Sequence, residues 1–283
     1  MYGTVVVGHD GTPAADAALR LAEQLAGDDA LLVLARVVRA DRPGEAESEL
    51  ERLRAGVTRA RRVETRVVTA HSAERGLVAL AKEVAADLIV VGSDRRPQDY
   101  RAHNVLGLRL LRGAPGAVAI ASSRAEPEIR HIGVAYDGSA DAELALTAAY
   151  ELAQRWRAAV TLYLALPPEV TEDLRAQLVY REACALLDAA ADRAPEGVNP
   201  ETVIVRGYAS LALAERAEGV VDLLVVGSRP RGPIRQALLG STSRALAVEL
   251  DCAVLVTPRR SAAAPGPRAT TMDDRGALRG EVQ

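Results

Sequence analysis

The sequence predicts an α/β fold built twice: two repeated five-stranded parallel-sheet domains, each with helices on both faces. Three observations carry this. Short aliphatic runs alternate with segments of helical periodicity, the pattern of βα units, along residues 1–258. The order of those segments in the first half returns in the second, which marks an internal duplication. Hydrophobic residues make up 49% of the chain but aromatics only 3%, with no Phe, so the cores must be Val, Leu, Ile and Ala. Such cores suit parallel strands buried under helices, and 283 residues leave room for two of them.

In the first half, residues 4–9 form a β-branched run stopped by Asp10-Gly11-Thr12, a strand and a tight turn. Thr12-Pro13 opens a helix, with Pro at a first-turn position, and Ala17, Leu21 and Leu25 repeat at helical spacing to about Ala26. Residues 30–38 are a second strand. The charged stretch 41–62 carries Leu50, Leu53 and Val57 on one face and reads as a solvated helix, its Glu45, Glu47, Glu49 and Glu51 being surface charges. Residues 63–70 alternate like a half-buried strand; a helix over Glu74–Ala86 leads into 87–93, a central strand by its unbroken apolar run. A basic loop runs to about Asn104, followed by a helix over Leu106–Arg112 and a last strand over Ala117–Ala121. Residues 122–130 are a polar linker.

The second half repeats this order. His131–Tyr136 is a strand ending in Asp137-Gly138-Ser139, the counterpart of Asp10-Gly11-Thr12, and Val225-Val226-Gly227-Ser228 matches Val90-Val91-Gly92-Ser93. Between these landmarks lie a helix over 140–156, a strand over 159–165, a longer helix about 169–194, a strand over 201–206 and a helix over 209–218. A helix over 242–250 and a strand over 252–257 complete the unit. The expected domains are 1–122 and 131–258, followed by a tail, 259–283, without apolar periodicity that reads as disordered.

The net charge of −3 gives no electrostatic reason to expect a nucleic-acid partner. Cys184 and Cys252 fit a reducing compartment and no zinc framework. The chain opens on a strand, which predicts no signal peptide, and no apolar run reaches the ~18 residues of a membrane span. A cytoplasmic protein without a membrane partner is the expectation.

Alternating βα units place ligands at the carboxyl ends of the strands, near the point where strand order reverses. If the first and fourth strands are neighbours, Asp137-Gly138 and Gly227-Ser228 face one cleft. Beyond them, an Arg/Gly/Pro loop leads to Gly240-Ser241-Thr242-Ser243 at a helix start, where unpaired amides suit an anion. Glycines at 227 and 240 would let the backbone approach that anion and take positive φ, while Arg229, Arg231 and Arg235 supply cations. Other nucleotide chemistries lack their parts. The only lysine, Lys82, precedes Glu83, so there is no Walker loop, and neither GxGxxG nor GxSxG nor HExxH occurs. No catalytic set is evident, and no metal-ligand set.

The paired halves resemble the universal stress protein family, and residues 2–257 as a whole resemble a tandem two-domain member. The most specific stretch is G-x2-G-x9-G-[ST], which in that family marks ATP binders; here it reads Gly227, two residues, Pro230, nine residues, Gly240-Ser241. The resemblance implies a Rossmann-like fold of the adenine nucleotide alpha hydrolase-like type and ATP, with Mg optional, as ligand. It implies that Asp137 with Gly138 reaches the adenosine, that Ala165 lines the adenine slot, and that Gly227, Arg229, Gly240, Ser241, Thr242 and Ser243 serve ribose and phosphates. Pro230 departs from the pattern, since it has no N–H to donate and fixes φ near −65°.

The first half keeps Asp10 and Gly92 as weaker candidates but has Arg95 at the second glycine and Asn104-Val105 where Gly-Ser would stand; Gly107 is out of register. Little or no ATP binding is expected there. His71 and His103 read as polar loop residues and His9 as strand-end packing. The strands at 117–121 and 252–257 would be exposed edges, and the resemblance implies that they pair, making an internal pseudo-dimer with Cys252 packed at the interface and leaving a homodimer open. The function implied is an ATP-binding, non-catalytic stress-response regulator; a protein-interaction module of the same fold without nucleotide is the other reading.

Overall fold

The computed structural model describes residues 1–39, 43–60, 62–93, 106–123, 128–168, 174–228 and 252–258. The basic loop reaching Asn104, the helix expected over 242–250 and the tail 259–283 lie outside the described residues. The first half comprises β1 (Tyr2–Gly8), α1 (Pro13–Leu25), β2 (Ala26–Val38), α2 (Pro43–Gly56), β3 (Arg62–Thr69), α3 (Ala73–Glu83), β4 (Leu88–Ser93), α4 (Leu106–Leu110) and β5 (Ala117–Ser122). The second comprises β6 (His131–Ala135), α5 (Ala140–Trp156), β7 (Ala159–Leu166), α6 (Leu174–Ala191), β8 (Glu201–Arg206), α7 (Ala209–Ala217), β9 (Leu223–Val226) and β10 (Ala253–Val256).

Among the described residues, all ten strands form one sheet in the order β3-β2-β1-β4-β5-β10-β9-β6-β7-β8. Each half contributes five parallel strands, and the halves meet where β10 runs antiparallel to β5, with Val254 opposite Ile120, Leu255 opposite Ala119 and Val256 opposite Val118. The two strands of this seam are buried along their lengths, so their aliphatic side chains sit where burial is worth about 1.5–3 kcal/mol for each Val or Leu.

One face of the sheet carries a core that runs through both halves, from Leu21 and Leu25 of α1 to Leu146 and Ala149 of α5. The opposite face carries two separate cores, one under α3 and α4 and one under α7. Across the shared face, Arg155 meets Asp28 at 2.5 Å and the amino terminus meets Glu151 at 3.2 Å. These exposed pairs add little beside the buried seam.

An aspartate staples each strand-order reversal. Asp87 Oδ2 accepts from the amides of Gly3 and Thr4, both at 2.9 Å, and Asp222 Oδ2 accepts from Arg130 and His131, both at 2.8 Å. Because Asp87 precedes β4 and Asp222 precedes β9, the same contact in each half sets the fourth strand beside the first.

Two elements differ from the sequence expectation. β2 begins at Ala26 rather than residue 30 because Tyr2 already pairs with Ala26, before an irregularity restores Thr4 opposite Leu31. The second helix stops at Gly56, and the next turn is held to α1, where Glu23 Oε1 accepts from the amides of Thr58 at 3.0 Å and Arg59 at 3.1 Å.

Candidate functional site

In both halves the first and fourth strands are neighbours, with Gly8 opposite Val91 and Ala135 opposite Val226. Their carboxyl ends therefore open side by side, at the position where α/β sheets bind ligands. The turn leaving the first strand is built the same way twice. Asp137 Oδ1 accepts from the Ser139 amide at 3.0 Å, Gly138 takes φ +71°, and Ser139 Oγ caps α5 by accepting from Ala142 N at 3.1 Å. Asp10 Oδ1 likewise accepts from Thr12 N at 3.2 Å, Gly11 takes φ +84°, and Thr12 Oγ1 caps α1 through Ala15 N at 3.3 Å. Each aspartate thus folds its own turn.

Gly227 corrects the expectation made for it. Its φ is not positive, and the backbone it approaches is the first turn of α5: a Cβ there would lie 2.7 Å from the Asp141 carbonyl carbon and 2.8 Å from its oxygen. Gly92 meets the first turn of α1 in the same way, where a Cβ would collide with the Ala14 carbonyl. The glycine is required so that the fourth strand's end can lie against the first helix, whatever binds above it.

Around this shared frame the side chains diverge. The first-half cleft encloses about 70 Å³ and is lined by residues that include His9, Asp10, Val37, Leu77, Gly92 and Leu106. Buried His9 accepts from Gly11 N at Nδ1, 3.2 Å away, which leaves the Nε2 proton facing Asp16 Oδ1 at 3.0 Å. Over the same turn, Arg36 pairs with Glu49, and Glu49 Oε1 sits where a Gly11 side chain would be. The surface reading of Glu49 is corrected: α2 lays it half-buried on the turn.

In the second half Tyr136 replaces His9 and Glu143 replaces Asp16. The Tyr136 hydroxyl donates to Glu143, and Arg193 donates to that hydroxyl at 2.9 Å and to Glu143 Oε2 at 2.8 Å. Partial burial works against ionisation of Glu143, but the Arg193 and Tyr136 hydrogen bonds and the Arg193 charge together hold its carboxyl below the ordinary range. Burial, with the Glu143 hydrogen bond, pushes the Tyr136 hydroxyl up. Leu186 covers Gly138 where Glu49 covers Gly11, and Ser228 Oγ donates to Asp141 Oδ2 at 3.1 Å, a contact that Ala14 denies the first half.

The structure therefore brings Asp137, Gly138 and Gly227 to one strand-order reversal. Ala165 stands on the adjacent β7, two residues past Tyr163, whose carbonyl accepts from Tyr136 N at 2.8 Å. Asp10 and Gly92 come together likewise in the first half. Arg229, Gly240, Ser241, Thr242 and Ser243, with Pro230, Arg231 and Arg235, lie outside the described residues, as do Arg95 and His103. His71 is exposed, Gly107 packs flat on Ile120, and Cys252, half-buried, packs beside the α7 core. Among the described residues no cluster of three or more His, Cys, Asp or Glu could hold a metal ion, and no helix is long and apolar enough to cross a membrane. The networks through Asp16, Glu143, Arg193 and Asp141 escape sequence reading, although the matched spacings His9–Asp16 and Tyr136–Glu143 are visible once the halves are aligned.

The model of the universal stress protein family matches residues 1–104 and 128–258. The chain belongs to that family. Universal stress protein YxiE of Bacillus subtilis (strain 168) is 31% identical over 140 residues, which cover 44% of this chain and 95% of YxiE. Among solved structures, a Pseudomonas aeruginosa PAO1 protein of unknown function superposes with a TM-score of 0.67 at 20% identity, covering 91% of this chain and 92% of that one. A universal stress protein from Archaeoglobus fulgidus DSM 4304 gives 0.64 at 18% identity, covering 90% and 98%. At these identities the solved structures speak for the fold. They share it along nearly the whole universal stress protein chain, both halves included.

Proposed function

We propose that this universal stress protein binds ATP in its second half and acts in the cytoplasm as a non-catalytic, ligand-responsive regulator. The observation that carries the reading is the meeting of Asp137-Gly138 and Gly227 at the reversal between β6 and β9, directly ahead in sequence of the stretch that carries Gly240-Ser241. Asp137 supplies a turn-held carboxylate for ribose hydroxyls, and Ala165 a small apolar wall for the base. The amides of Ser241, Thr242 and Ser243, with Arg229, supply donors for phosphate. Mg would arrive with the nucleotide. Domains 1–122 and 131–258 act as an internal pair joined through β5 and β10, and the first supplies structure more than ligand binding.

With about 31 heavy atoms at ~0.3 kcal/mol each, ATP would bind with about −9 kcal/mol at best, near micromolar. The test is to purify the chain, denature it, and count moles of released nucleotide. About one ATP per chain, lost in Gly240→Val, supports the reading. No nucleotide and no thermal shift in millimolar Mg-ATP would replace it with the protein-interaction module. Phosphate release above that of a Ser241→Ala control would contradict the non-catalytic assignment.

A further inference from the structure

Tyr208 occupies a position where helix chemistry asks for something else. It is the N-cap residue of α7, yet its side chain makes no capping bond, whereas Ser, Thr, Asp and Asn are favoured there because they accept from the first-turn amides. At the same position in the first half, Ser72 does this for α3, accepting from Arg75 N at 3.3 Å. Tyr208 is also 66% exposed, more than any other large apolar side chain among the described residues. A cap has been replaced by an aromatic ring in water, and neither packing nor helix formation accounts for the exchange.

Its place in the fold does. Gly207, at φ +137°, donates its amide to the Leu166 carbonyl at 2.9 Å and so holds the turn against the end of β7. Ala165 stands one residue earlier on that strand, paired with Val205. In the first half Ala73, the residue after Ser72, lines the cleft together with Val37, the counterpart of Ala165. Ala209, the counterpart of Ala73, packs in one cluster with Ala165, and Tyr208 is the exposed residue immediately before it. Replacing Val37 by Ala165 also removes two methyl groups from the wall at that position.

We propose that Tyr208 is a specificity-determining residue of the second-half site, presenting its ring to the planar base of the bound nucleotide next to Ala165. The assignment rests on the nucleotide reading above. Aromatic faces pack offset against planar π-systems, and a base stacked on a tyrosine is held without base-specific hydrogen bonds. The ring selects for a large planar base over a small one or none. It contributes nothing to a phosphate chain alone.

The experiment compares the full chain with Tyr208→Ala, Tyr208→Phe and Tyr208→Ser by calorimetric titration with ATP, UTP and inorganic triphosphate, alongside thermal midpoints. The expected result is ATP affinity roughly tenfold weaker in the Ala and Ser variants and retained in Phe, with triphosphate binding unchanged and the preference for ATP over UTP reduced. Tyr208→Ser should at the same time raise the thermal midpoint, because serine restores the cap that Ser72 provides in the first half. Affinity and stability moving in opposite directions is an outcome that a purely structural role does not produce. ATP affinity unchanged in Tyr208→Ala, while Asp137→Ala weakens it, overturns the Tyr208 assignment and leaves the nucleotide reading standing. A change in oligomeric state on sedimentation with no change in ATP affinity overturns it in favour of a protein contact. A parent chain that binds none of the three probes overturns both.

Discussion

The two halves hold the same backbone and disagree about what lines it. Asp10-Gly11-Thr12 and Asp137-Gly138-Ser139 make one turn twice, and Gly92 and Gly227 lie against the first turn of α1 and of α5. Around that frame, Tyr136 stands for His9, Ala165 for Val37, Tyr208 for Ser72 as the cap residue, and Leu186 covers the turn glycine where Glu49 does in the first half. What the halves share, the Asp-Gly turn and the glycine against the first helix, is what the fold needs whatever is bound; the side chains around it set the two clefts apart. The Asp-Gly and strand-end glycine positions of the motif thus serve packing in both halves, and the first half has Asp10 and Gly92 without the rest of the phosphate pattern.

That division can be broken most directly at the glycines. Gly92→Ala should cost about 3 kcal/mol or more in denaturant unfolding, and Gly227→Ala about 1–3 kcal/mol, because the added Cβ meets helix backbone and not a side chain that can swing away. If Gly227→Ala keeps full stability but loses nucleotide, the glycine belongs to the ligand and the division fails. Next in size, Asp137→Ala should weaken ATP about tenfold (about 1.4 kcal/mol) while Asp10→Ala leaves ATP binding intact. Both should lower the thermal midpoint by similar amounts, since each carboxylate folds its own turn. Equal effects on ATP would mean that the first half binds as well.

A smaller effect separates the halves by pH. With its carboxyl held low in the folded chain, Glu143 takes up its proton in the unfolded chain first as the solution is acidified. Its contribution is complete above the ordinary glutamate value of about 4.3 and is lost as pH falls through the lowered folded value. Arg193→Met should flatten the dependence of the thermal midpoint on pH between about pH 3 and 5; an unchanged slope would show that the Tyr136–Glu143–Arg193 cluster does not bias folding. The smallest expected change is a gain. Ala85 at φ +50° and Arg157 at φ +54° hold left-handed backbone at helix ends, one in each half. Glycine at either should add roughly 0.5–1 kcal/mol, and a loss at Arg157 would reveal a role for its side chain.

Much of this frame was legible in the sequence because it depends on neighbours. Period-3.6 faces located α1, α3 and α5, and unbroken aliphatic runs located β4 and β9. The Asp-Gly turns declared themselves because an aspartate two residues before its amide partner, with glycine between, is a local arrangement. Contacts between distant parts of the chain were hidden: Arg193 reaches back to Glu143, Ser228 to Asp141, and Asp222 to Arg130 and His131. The packing role of Gly227 was hidden for the same reason, since the group it lies against is a helix turn begun at Ala140, far earlier in the chain.

The seam between β5 and β10 has a consequence for the order in which the molecule can be made. β5 is complete as soon as Ser122 has left the ribosome, but the strand that covers its open edge is the last described, ending at Val256. At ~5–20 residues per second, the first half waits on the order of ten seconds with an aliphatic edge, Ala117 to Ser122, unpaired. During that interval another nascent copy could offer the same edge. The longer the second half takes to emerge, the longer that edge stays open to pairing with a neighbour.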